Sequence, residues 1–389
     1  MLDLVERLQR PDRSLRLVHV AGSKGKGSTA SLIGGGLRAS GAHVGVFASP
    51  HVETIRERIS LGDGPLGEAE FTEAGMHVLD VIEEAPNGAP AREASWFDVM
   101  AAMALVAFRR ANCDWAVLEV GLGGRLDSTN VIDASEVCVI TMIALEHVRI
   151  LGDTKAKIAR EKGGIIKPKG RVVTGCAPTS EAGKVLAEIA QERDSAIHFV
   201  DIHGVHSFEK RNTLIAGAVL NELGFDRSLL TPEVVVGARL PGRMESRMYE
   251  GVRVLLDGAH VTESLEVLLK DGCSRWGKRF VALVAIHREK DAVELLRPLV
   301  HGCEHVVATT IPNSPVHLTA EEVAHAASEV GLRVETAADP SLGLERAAAV
   351  VRNTNTEDSK GWLLATGSLY LLGAIRSGTS FWAHPENLS

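Results

Sequence analysis

Residues 15–39 read LRLVHVAGSKGKGSTASLIGGGLRA. An apolar run at 15–20 leads through a glycine-rich turn into a segment at 27–39 whose composition fits a helix, and a second β-branched run follows at 44–47. Two parallel strands need a crossover connection between them, and that connection is usually a helix. The order strand, helix, strand therefore predicts an α/β fold with a parallel sheet.

The same alternation continues along the chain. In the first half, we expect further strands at 115–120, 137–142, 171–174 and 197–200, and helices at 97–110 and 182–193. After a Pro-Gly break at 240–243, strands resume at 252–256, 279–284, 304–308, 332–336 and 362–365. A chain of 389 residues exceeds the roughly 150 that one domain usually holds. We therefore expect two domains, at 1–240 and 241–389.

Composition excludes several classes of protein. Hydrophobic residues make up 45% and charged residues 24%, which is typical of a globular chain. The net charge of -8 does not favour nucleic acid as a partner. The longest apolar run, at 99–108, is far shorter than the about 20 residues that cross a bilayer. Since the first residues lack a secretory signal and the five cysteines show no CxxC spacing, we expect a cytoplasmic protein with reduced cysteines.

The glycine-rich turn has the composition of a phosphate-binding loop. Glycines let backbone N–H groups converge on phosphate oxygens, the helix that follows adds partial positive charge, and Lys26 can reach the terminal phosphates. The spacing departs from GxxxxGK[ST], because Val20 stands at the first glycine and Gly27 separates Lys26 from Ser28. A tight structural turn is therefore the alternative. The candidate phosphate-binding residues are Gly22, Ser23, Lys24, Gly25, Lys26, Gly27 and Ser28.

Polar residues follow two further strands of the first half. Glu119 stands near the end of the strand at 115–120, and His147 follows the strand at 137–142. Both would lie at the edge where open α/β sheets bind ligands. A carboxylate and an imidazole there can share a metal ion held against a nucleotide, while a solvated strand-end charge and a structural histidine are the alternatives. Lys162 lies at a predicted helix end, where compensation of the helix dipole is the simplest role.

The second half has two similar strand ends. Asp257-Gly258-Ala259-His260 follows the strand at 252–256, and Thr366-Gly367-Ser368-Leu369-Tyr370 follows the strand at 362–365. Each set would lie at the ligand edge of a sheet. Strand ends also carry polar residues simply to begin a loop, so neither set identifies a site by itself.

Taken in order, these segments resemble the folylpolyglutamate synthase and dihydrofolate synthase family, a branch of the Mur ligase superfamily. HVAGSKGKGS at 19–28 is similar to the family's HVAGTNGKGS, and EVGLGGRLDSTN at 119–130 is similar to its EVGLGGRLDATN. SPH at 49–51, PGR at 241–243, DGAH at 257–260 and TGSLYL at 366–371 also look like family motifs. The resemblance extends over residues 17–375.

The resemblance implies an ATP-dependent amide ligase with a P-loop domain and a smaller Rossmann-like C-terminal domain. Such an enzyme adds L-glutamate to dihydropteroate or tetrahydrofolate through an acyl phosphate and releases ADP and phosphate. The implied catalytic residues are Lys26, His147, Lys162 and His260. Two Mg²⁺ ions would be held by Ser49, Glu119 and His147, and Lys162 would be carbamylated. ATP would contact Asn212, Arg243 and Asp257, Ser368 and His260 would lie near the amino acid, and the protein would be a monomer.

Some positions depart from the family pattern. Lys24 replaces an asparagine of the loop, Glu146 replaces the aspartate before His147, Gly163 replaces an alanine, and Val261 replaces the asparagine of DGAHN. The chain is also shorter near the regions that seat a pterin. Two alternatives therefore stay open: a Mur-like ligase that joins a different carboxylate to an amino acid, and a non-catalytic nucleotide-binding relative.

Overall fold

The computed structural model describes residues 1–62, 64–355 and 361–378. The chain divides into two compact units, the first spanning Met1–Arg239 and the second beginning at Leu240. No helix within the described ranges is long and apolar enough to cross a membrane.

The first unit is built on an eight-stranded sheet in the order β4-β3-β2-β5-β1-β6-β7-β8. The strands are β1 (Arg16–Ala21), β2 (Val44–Phe47), β3 (Ile59–Leu61), β4 (Gly64–Pro65), β5 (Trp115–Glu119), β6 (Val137–Ile140), β7 (Arg171–Thr174) and β8 (Ala196–Phe199). All neighbouring pairs are parallel except β2–β3 and β3–β4. The central strands β1 and β5 are buried almost throughout, as is usual where helices cover both faces of a sheet.

Nine α-helices belong to the described part of this unit. They are α1 (Leu2–Arg7), α2 (Lys26–Ala39), α3 (Glu68–Glu84), α4 (Trp96–Arg110), α5 (Val148–Leu151), α6 (Lys155–Gly163), α7 (Glu181–Glu192), α8 (Phe208–Glu222) and α9 (Pro232–Gly237). One apolar core joins α2 and α8 to one face of the sheet, and on the other face α4 packs near β2 and β5 while α6 and α7 pack near β6 and β7. This arrangement leaves the carboxyl ends of the strands to the loops.

The second unit has a six-stranded sheet in the order β13-β12-β11-β14-β10-β9. The strands are β9 (Glu245–Tyr249), β10 (Val252–Leu256), β11 (Phe280–Val284), β12 (Cys303–Thr309), β13 (Val334–Ala337) and β14 (Trp362–Thr366). Its helices are α10 (Thr262–Trp276), α11 (Ala292–Leu296), α12 (Ala320–Glu329), α13 (Pro340–Thr354) and α14 (Leu369–Gly378). Only β9 runs antiparallel among the described strands, and a core of its own lies between this sheet and its helices.

The predicted α/β fold is confirmed, because parallel pairs dominate both sheets. Several predicted bounds are wrong by one or two residues: the strand expected at 137–142 ends at Ile140, and the strand expected at 332–336 is Val334–Ala337. The sequence analysis also missed β3, β4 and β9, which are short or pair in the antiparallel sense, and it gave no bounds for most of the helices, among them α3, α8, α10 and α13. The helix α3 buries Ala74 and Val78 and packs Phe71, Val81 and Ile82 against the same core, an apolar face that the sequence analysis did not recognise.

Candidate active site

The turn at 22–28 connects β1 to α2 at the carboxyl edge of the first sheet. It is pinned to the end of β6, because the Ser23 N–H donates to the Met142 carbonyl (2.6 Å) and the Thr141 hydroxyl donates to the Lys24 carbonyl (2.7 Å). Gly25 caps the helix with φ +80°, a conformation that strongly favours glycine. The backbone therefore turns sharply just before α2 begins at Lys26.

The start of α2 presents backbone donors next to a cation. The first backbone hydrogen bond of α2 runs from the Thr29 N–H to the Gly25 carbonyl, at 2.9 Å. The N–H groups of Lys26, Gly27 and Ser28 therefore come before the hydrogen-bonded part of the helix. Such N–H groups attract anions, and the helix dipole adds to the attraction.

The buried Asn212 on α8 packs directly against this turn. A Cβ built on Gly25 would collide with the side-chain oxygen of Asn212. A glycine is therefore required at position 25 by close approach as well as by φ, and the amide of Asn212 lies beside the candidate phosphate loop.

Glu119 ends β5 with 3% of its surface exposed. Its Oε2 accepts the Ser49 N–H at 2.7 Å, which brings the ends of β5 and β2 together. His147 is exposed and has φ +45° at the start of α5. Within the described ranges, no three His, Cys, Asp or Glu side chains gather into a group that could hold a metal ion. Ligands from a nucleotide or from water would have to complete a metal site on Ser49, Glu119 and His147.

Lys162 is nearly inaccessible at the end of α6, with 1% of its surface exposed. Its Nζ lies 2.8 Å from Glu146 Oε1. Burial, reinforced by Lys26, lowers the pKa of Lys162 against the opposing effect of Glu146. Burial alone would raise the pKa of Glu146, but Lys162, Lys26 and Lys24 together hold it below the ordinary value. The loop lysines, Lys162 and Glu146 thus share one electrostatic environment.

The loop at 121–130 lies directly on α6. The Arg125 N–H donates to the Glu161 carbonyl at 2.9 Å. A Cβ built on Gly124 would lie 2.9 Å from the carbonyl oxygens of both Glu161 and Lys162, closer than such atoms approach in real structures. Only a glycine at position 124 lets this loop reach the helix end that carries Lys162.

A buried hydrogen-bond relay connects β1 to the same loop. Thr129 N–H and hydroxyl both reach Asp127 Oδ1, at 3.0 and 2.6 Å, and the Leu122 N–H reaches Oδ2 at 2.8 Å. Because a carboxylate can only accept, the Thr129 hydroxyl donates to it and must accept from His19 Nε2, 2.8 Å away. Burial lowers the pKa of His19 to about 3, so its ring is neutral and carries its proton on Nε2.

In the second unit, Asp257 organises the turn after β10. Its carboxylate accepts the N–H groups of Met244 (2.8 Å) and Ala259 (2.9 Å). Burial raises the pKa of Asp257, and the nearby charge of Arg243 and these two N–H groups oppose the shift. Arg243 and Asp257, both predicted nucleotide contacts, are therefore neighbours.

His260 and Ser368 follow two adjacent strands, β10 and β14. The Gly367 N–H donates to the Ala259 carbonyl at 3.0 Å, which joins the two loops. His260 is exposed, and its Nδ1–H donates to the Gly258 carbonyl at 3.0 Å. Ser368 is buried and its hydroxyl contacts His317.

The site residues predicted from sequence thus fall into two groups. In the first unit, the turn at 22–28 meets Asn212, and its lysines share a charge cluster with Lys162. Ser49 meets Glu119. In the second unit, Arg243 meets Asp257, and the loops carrying His260 and Ser368 are joined. Sequence reasoning quoted His19 only as the start of the HVAGSKGKGS motif and gave it no role, and it missed His317, which stands in a loop without any motif.

The first group can bind and neutralise a phosphorylated ligand, because backbone donors and lysines converge there beside a buried carboxylate. The second group can bind a small polar molecule, because imidazole and hydroxyl groups meet at a sheet edge. A nucleotide-dependent reaction with a second polar substrate fits this combination.

Comparison with known proteins gives consistent matches. A family model described as the C-terminal domain of dihydrofolate synthetase matches residues 243–377. Folylpolyglutamate synthase of Lacticaseibacillus casei is 28% identical over 97% of this chain and 92% of its own length. Folylpolyglutamate synthase of Mycobacterium tuberculosis complexed with ADP has a TM-score of 0.86 at 28% identity, covering 99% of this chain and 94% of the other. A bifunctional folylpolyglutamate synthase/dihydrofolate synthase with Mn, AMPPNP and L-glutamate bound has a TM-score of 0.79 at 25% identity, covering 97% and 92%.

Proposed function

Because the chain belongs to the folylpolyglutamate synthase and dihydrofolate synthase family, we propose that it is an ATP-dependent ligase that joins a folate-type carboxylate to L-glutamate. The reaction proceeds through an acyl phosphate and releases ADP and phosphate. One observation carries the proposal: the turn that begins α2 shares its charge cluster with the buried Lys162. We assign ATP binding to residues 1–240 and the smaller ligase domain to 241–389.

The residues of the first unit act on the phosphates. The N–H groups at the start of α2 and the Lys26 ammonium hold the negative charge of the β- and γ-phosphates. A carboxylate oxygen of the folate-type substrate attacks the γ-phosphorus, and the bond to ADP breaks. The amine of glutamate then attacks the acyl carbon, loses a proton, and displaces phosphate. Positive charge fixed near the reacting oxygens stabilises both transition states, because it is in place before the reaction begins.

Divalent metal would be held by Ser49, Glu119 and His147. The donor set suits Mg²⁺, because Glu119 is a buried carboxylate at the strand end and hydroxyl oxygen is a hard ligand. A bound metal would supply further neutralisation of phosphate charge. The similar protein bound to Mn and AMPPNP supports a divalent metal with the nucleotide. Two ions are expected from the family resemblance.

Carbamylation of Lys162 agrees with its surroundings. A lysine adds CO2 only as the neutral amine: the nitrogen bonds to carbon, a proton leaves, and a carbamate forms. Burial and the charge of Lys26 lower the pKa of Lys162 and so increase the neutral fraction. The carbamate would turn a cation into an anionic oxygen ligand for a metal ion.

Further contacts to the substrates follow from the family motifs. Asn212, Arg243 and Asp257 would contact ATP, and His260 and Ser368 would contact the amino acid. The buried Asn212 packs on the phosphate loop, and Asp257 is held by two backbone N–H groups, so both side chains are fixed before ligands arrive. We further propose that the protein works as a cytoplasmic monomer, which light scattering on the purified chain would test.

The deciding experiment measures phosphate release from ATP. Purified protein is assayed with dihydropteroate plus glutamate, tetrahydrofolate plus glutamate, and each component alone, and product masses are recorded. Release that needs both partners, with a mass gain of one glutamyl residue, supports the proposal and identifies the acceptor. If neither pterin stimulates phosphate release, the folate assignment is wrong.

One observation favours a second candidate, a ligase for a different carboxylate. Val261 is the N-cap residue of α10 and makes no side-chain cap, at the position where the family has asparagine. An apolar side chain offers neither the amide donor nor the amide acceptor to a ligand. If ATP binds but neither pterin stimulates turnover, other carboxylic acids should be screened with the same assay.

A further inference from the structure

The carboxyl edge of the second sheet gathers the loops after four parallel strands. The loops follow β10, β11, β12 and β14. The Gly367 N–H donates to the Ala259 carbonyl (3.0 Å), and the Leu318 N–H donates to the Ile286 carbonyl (2.9 Å). The loop after β12 thereby lies against the loop after β11, beside Ser368. Residues of this loop, 310–319, have no part in the family motifs described above.

His317 is the buried centre of this edge, with 4% of its surface exposed. Its Nδ1 lies 2.7 Å from the Ser314 hydroxyl, and its Nε2 lies 2.9 Å from the Ser368 hydroxyl. The rings of His287 and Tyr370 stand edge-on to it, with centroids 5.5 and 5.2 Å away. The imidazole is therefore fixed in position and bridges two serines.

The proton on His317 decides what Ser368 can offer a ligand. Ser368 Oγ already accepts the Tyr370 N–H at 3.1 Å. If His317 Nε2 carries the proton, Ser368 accepts a second bond and its own O–H is left to donate. If Nδ1 carries the proton, Ser368 donates to His317 and presents only a lone pair. The first arrangement suits a carboxylate and the second suits an amine.

The charge around the edge favours the first arrangement. Arg288 donates to the His317 carbonyl at 3.2 Å, and its guanidinium holds both oxygens of Glu322, at 2.7 and 2.8 Å. That carboxylate is therefore already neutralised. The ring of His287, which stands edge-on to His317, brings no negative charge. A ligand anion meets no opposing carboxylate among these groups.

We propose that His317 is a positioning residue that donates from Nε2 to Ser368 and so directs the Ser368 O–H to a carboxylate of the amino-acid substrate. The bonds run in one direction: Ser314 O–H to Nδ1, Nε2–H to Ser368, and Ser368 O–H to the carboxylate. Each donor in such a chain polarises the next, which strengthens the last bond. The inference rests on the proposed function, since it takes glutamate as the amino acid.

The test compares variants of the full chain in steady-state kinetics. His317→Leu removes the donor, His317→Gln keeps an N–H near the Nε2 position, and Ser314→Ala removes only the partner of Nδ1. His325→Leu, at a histidine on α12 that is 81% exposed, is the matched control. KM for glutamate, KM for ATP and kcat are measured with whichever acceptor the wild type uses.

We expect His317→Leu to raise KM for glutamate about tenfold to a hundredfold, the value of a hydrogen bond to a charged group. KM for ATP should stay within about twofold, a change worth well under one hydrogen bond. His317→Gln should recover most of the loss, and His325→Leu should behave as wild type. The two mono-amides of glutamate, each lacking one carboxylate, should then be tested as substrates. His317→Leu should show the smallest preference for glutamate over the mono-amide that lacks the carboxylate bound by Ser368.

Two results would overturn the inference while leaving the proposed function intact. One is an unchanged KM for glutamate in His317→Leu, and the other is an equal rise in both KM values, which indicates general damage. If His317→Leu does not fold, Ser314→Ala carries the test, and an unchanged KM for glutamate there overturns the inference. A wild-type protein that forms no glutamate product refutes the proposed function itself, and the role of Ser368 with it.

Discussion

The relay from His19 through Thr129 to Asp127 makes a quantitative prediction for Thr129→Val. Valine keeps the shape and the backbone N–H but removes the hydroxyl, which takes part in bonds of 2.8 Å to His19 and 2.6 Å to Asp127. With 3% of Thr129 exposed, water cannot replace it. A buried donor left unsatisfied costs about 1–3 kcal/mol, and a hydrogen bond to a carboxylate contributes a similar amount. We expect the free energy of unfolding of the first unit to fall by about 3 kcal/mol in total. The loss is no larger because Asp127 keeps its backbone donors.

Amide hydrogen exchange with peptide resolution is the suitable assay, because it reports each unit separately. The free energy of opening should fall by about 3 kcal/mol in peptides from β1 and β5 and stay unchanged in peptides from β10 and β11. Thr213→Val is the matched control. Its hydroxyl donates only to the Glu209 carbonyl in the preceding turn of α8 (2.8 Å), so its removal should cost less than about 1 kcal/mol.

The prediction is contradicted if Thr129→Val lowers the free energy of opening no more than Thr213→Val does. That result would mean that Thr129 contributes packing alone and that the proton on His19 is not held by the relay. A loss spread equally over both units would contradict the assignment of the effect to the first unit.

Three further predictions concern the same region. Because the pKa of His19 falls from 6.5 to about 3 on folding, the unfolded chain binds a proton that the folded chain does not, so stability should fall from pH 6.5 towards pH 3; urea unfolding should show His19→Gln losing that part of the pH dependence. Gly124→Ala should abolish most activity by pushing the loop off α6, whereas Gly237→Ala, with open space around its Cβ, should leave kcat unchanged. Lys162→Ala should lose activity, and small carboxylic acids should partly restore it. Lys157→Ala, on the same helix but 64% exposed, should keep its activity. A fully active Lys162→Ala would contradict the carbamate role.

The sequence predicts the scaffold well where the signal is local. The strand β1, the turn and α2 are predicted because an apolar run, close glycines and a helix start follow one another within one stretch. Strands β5 and β11 are buried along their whole length, so their composition alone identifies them. The strands β3 and β4 lack this signal, because they are short and pair in the antiparallel sense.

The candidate site is predicted only in part. The sequence singled out Glu119, Lys162 and Ser368 because they stand at strand or helix ends within recognisable motifs. It could not place Thr129 against His19, because their contact joins residues 110 positions apart. His317 likewise meets Ser368 across 51 positions. Such contacts depend on the register of the sheets, which no local pattern encodes.

The separation between strands and loops in the second sheet has an evolutionary consequence. The strands β10, β11 and β14 are almost wholly buried, so most substitutions there would damage the core. The loop at 310–319 carries Ser314 and His317, and its apolar contacts with the interior of this unit are made by Ile311 and Leu318 at its two ends. A lineage could therefore alter which amino acid it accepts by exchanging this loop alone, while the inherited scaffold and its nucleotide chemistry continue unchanged.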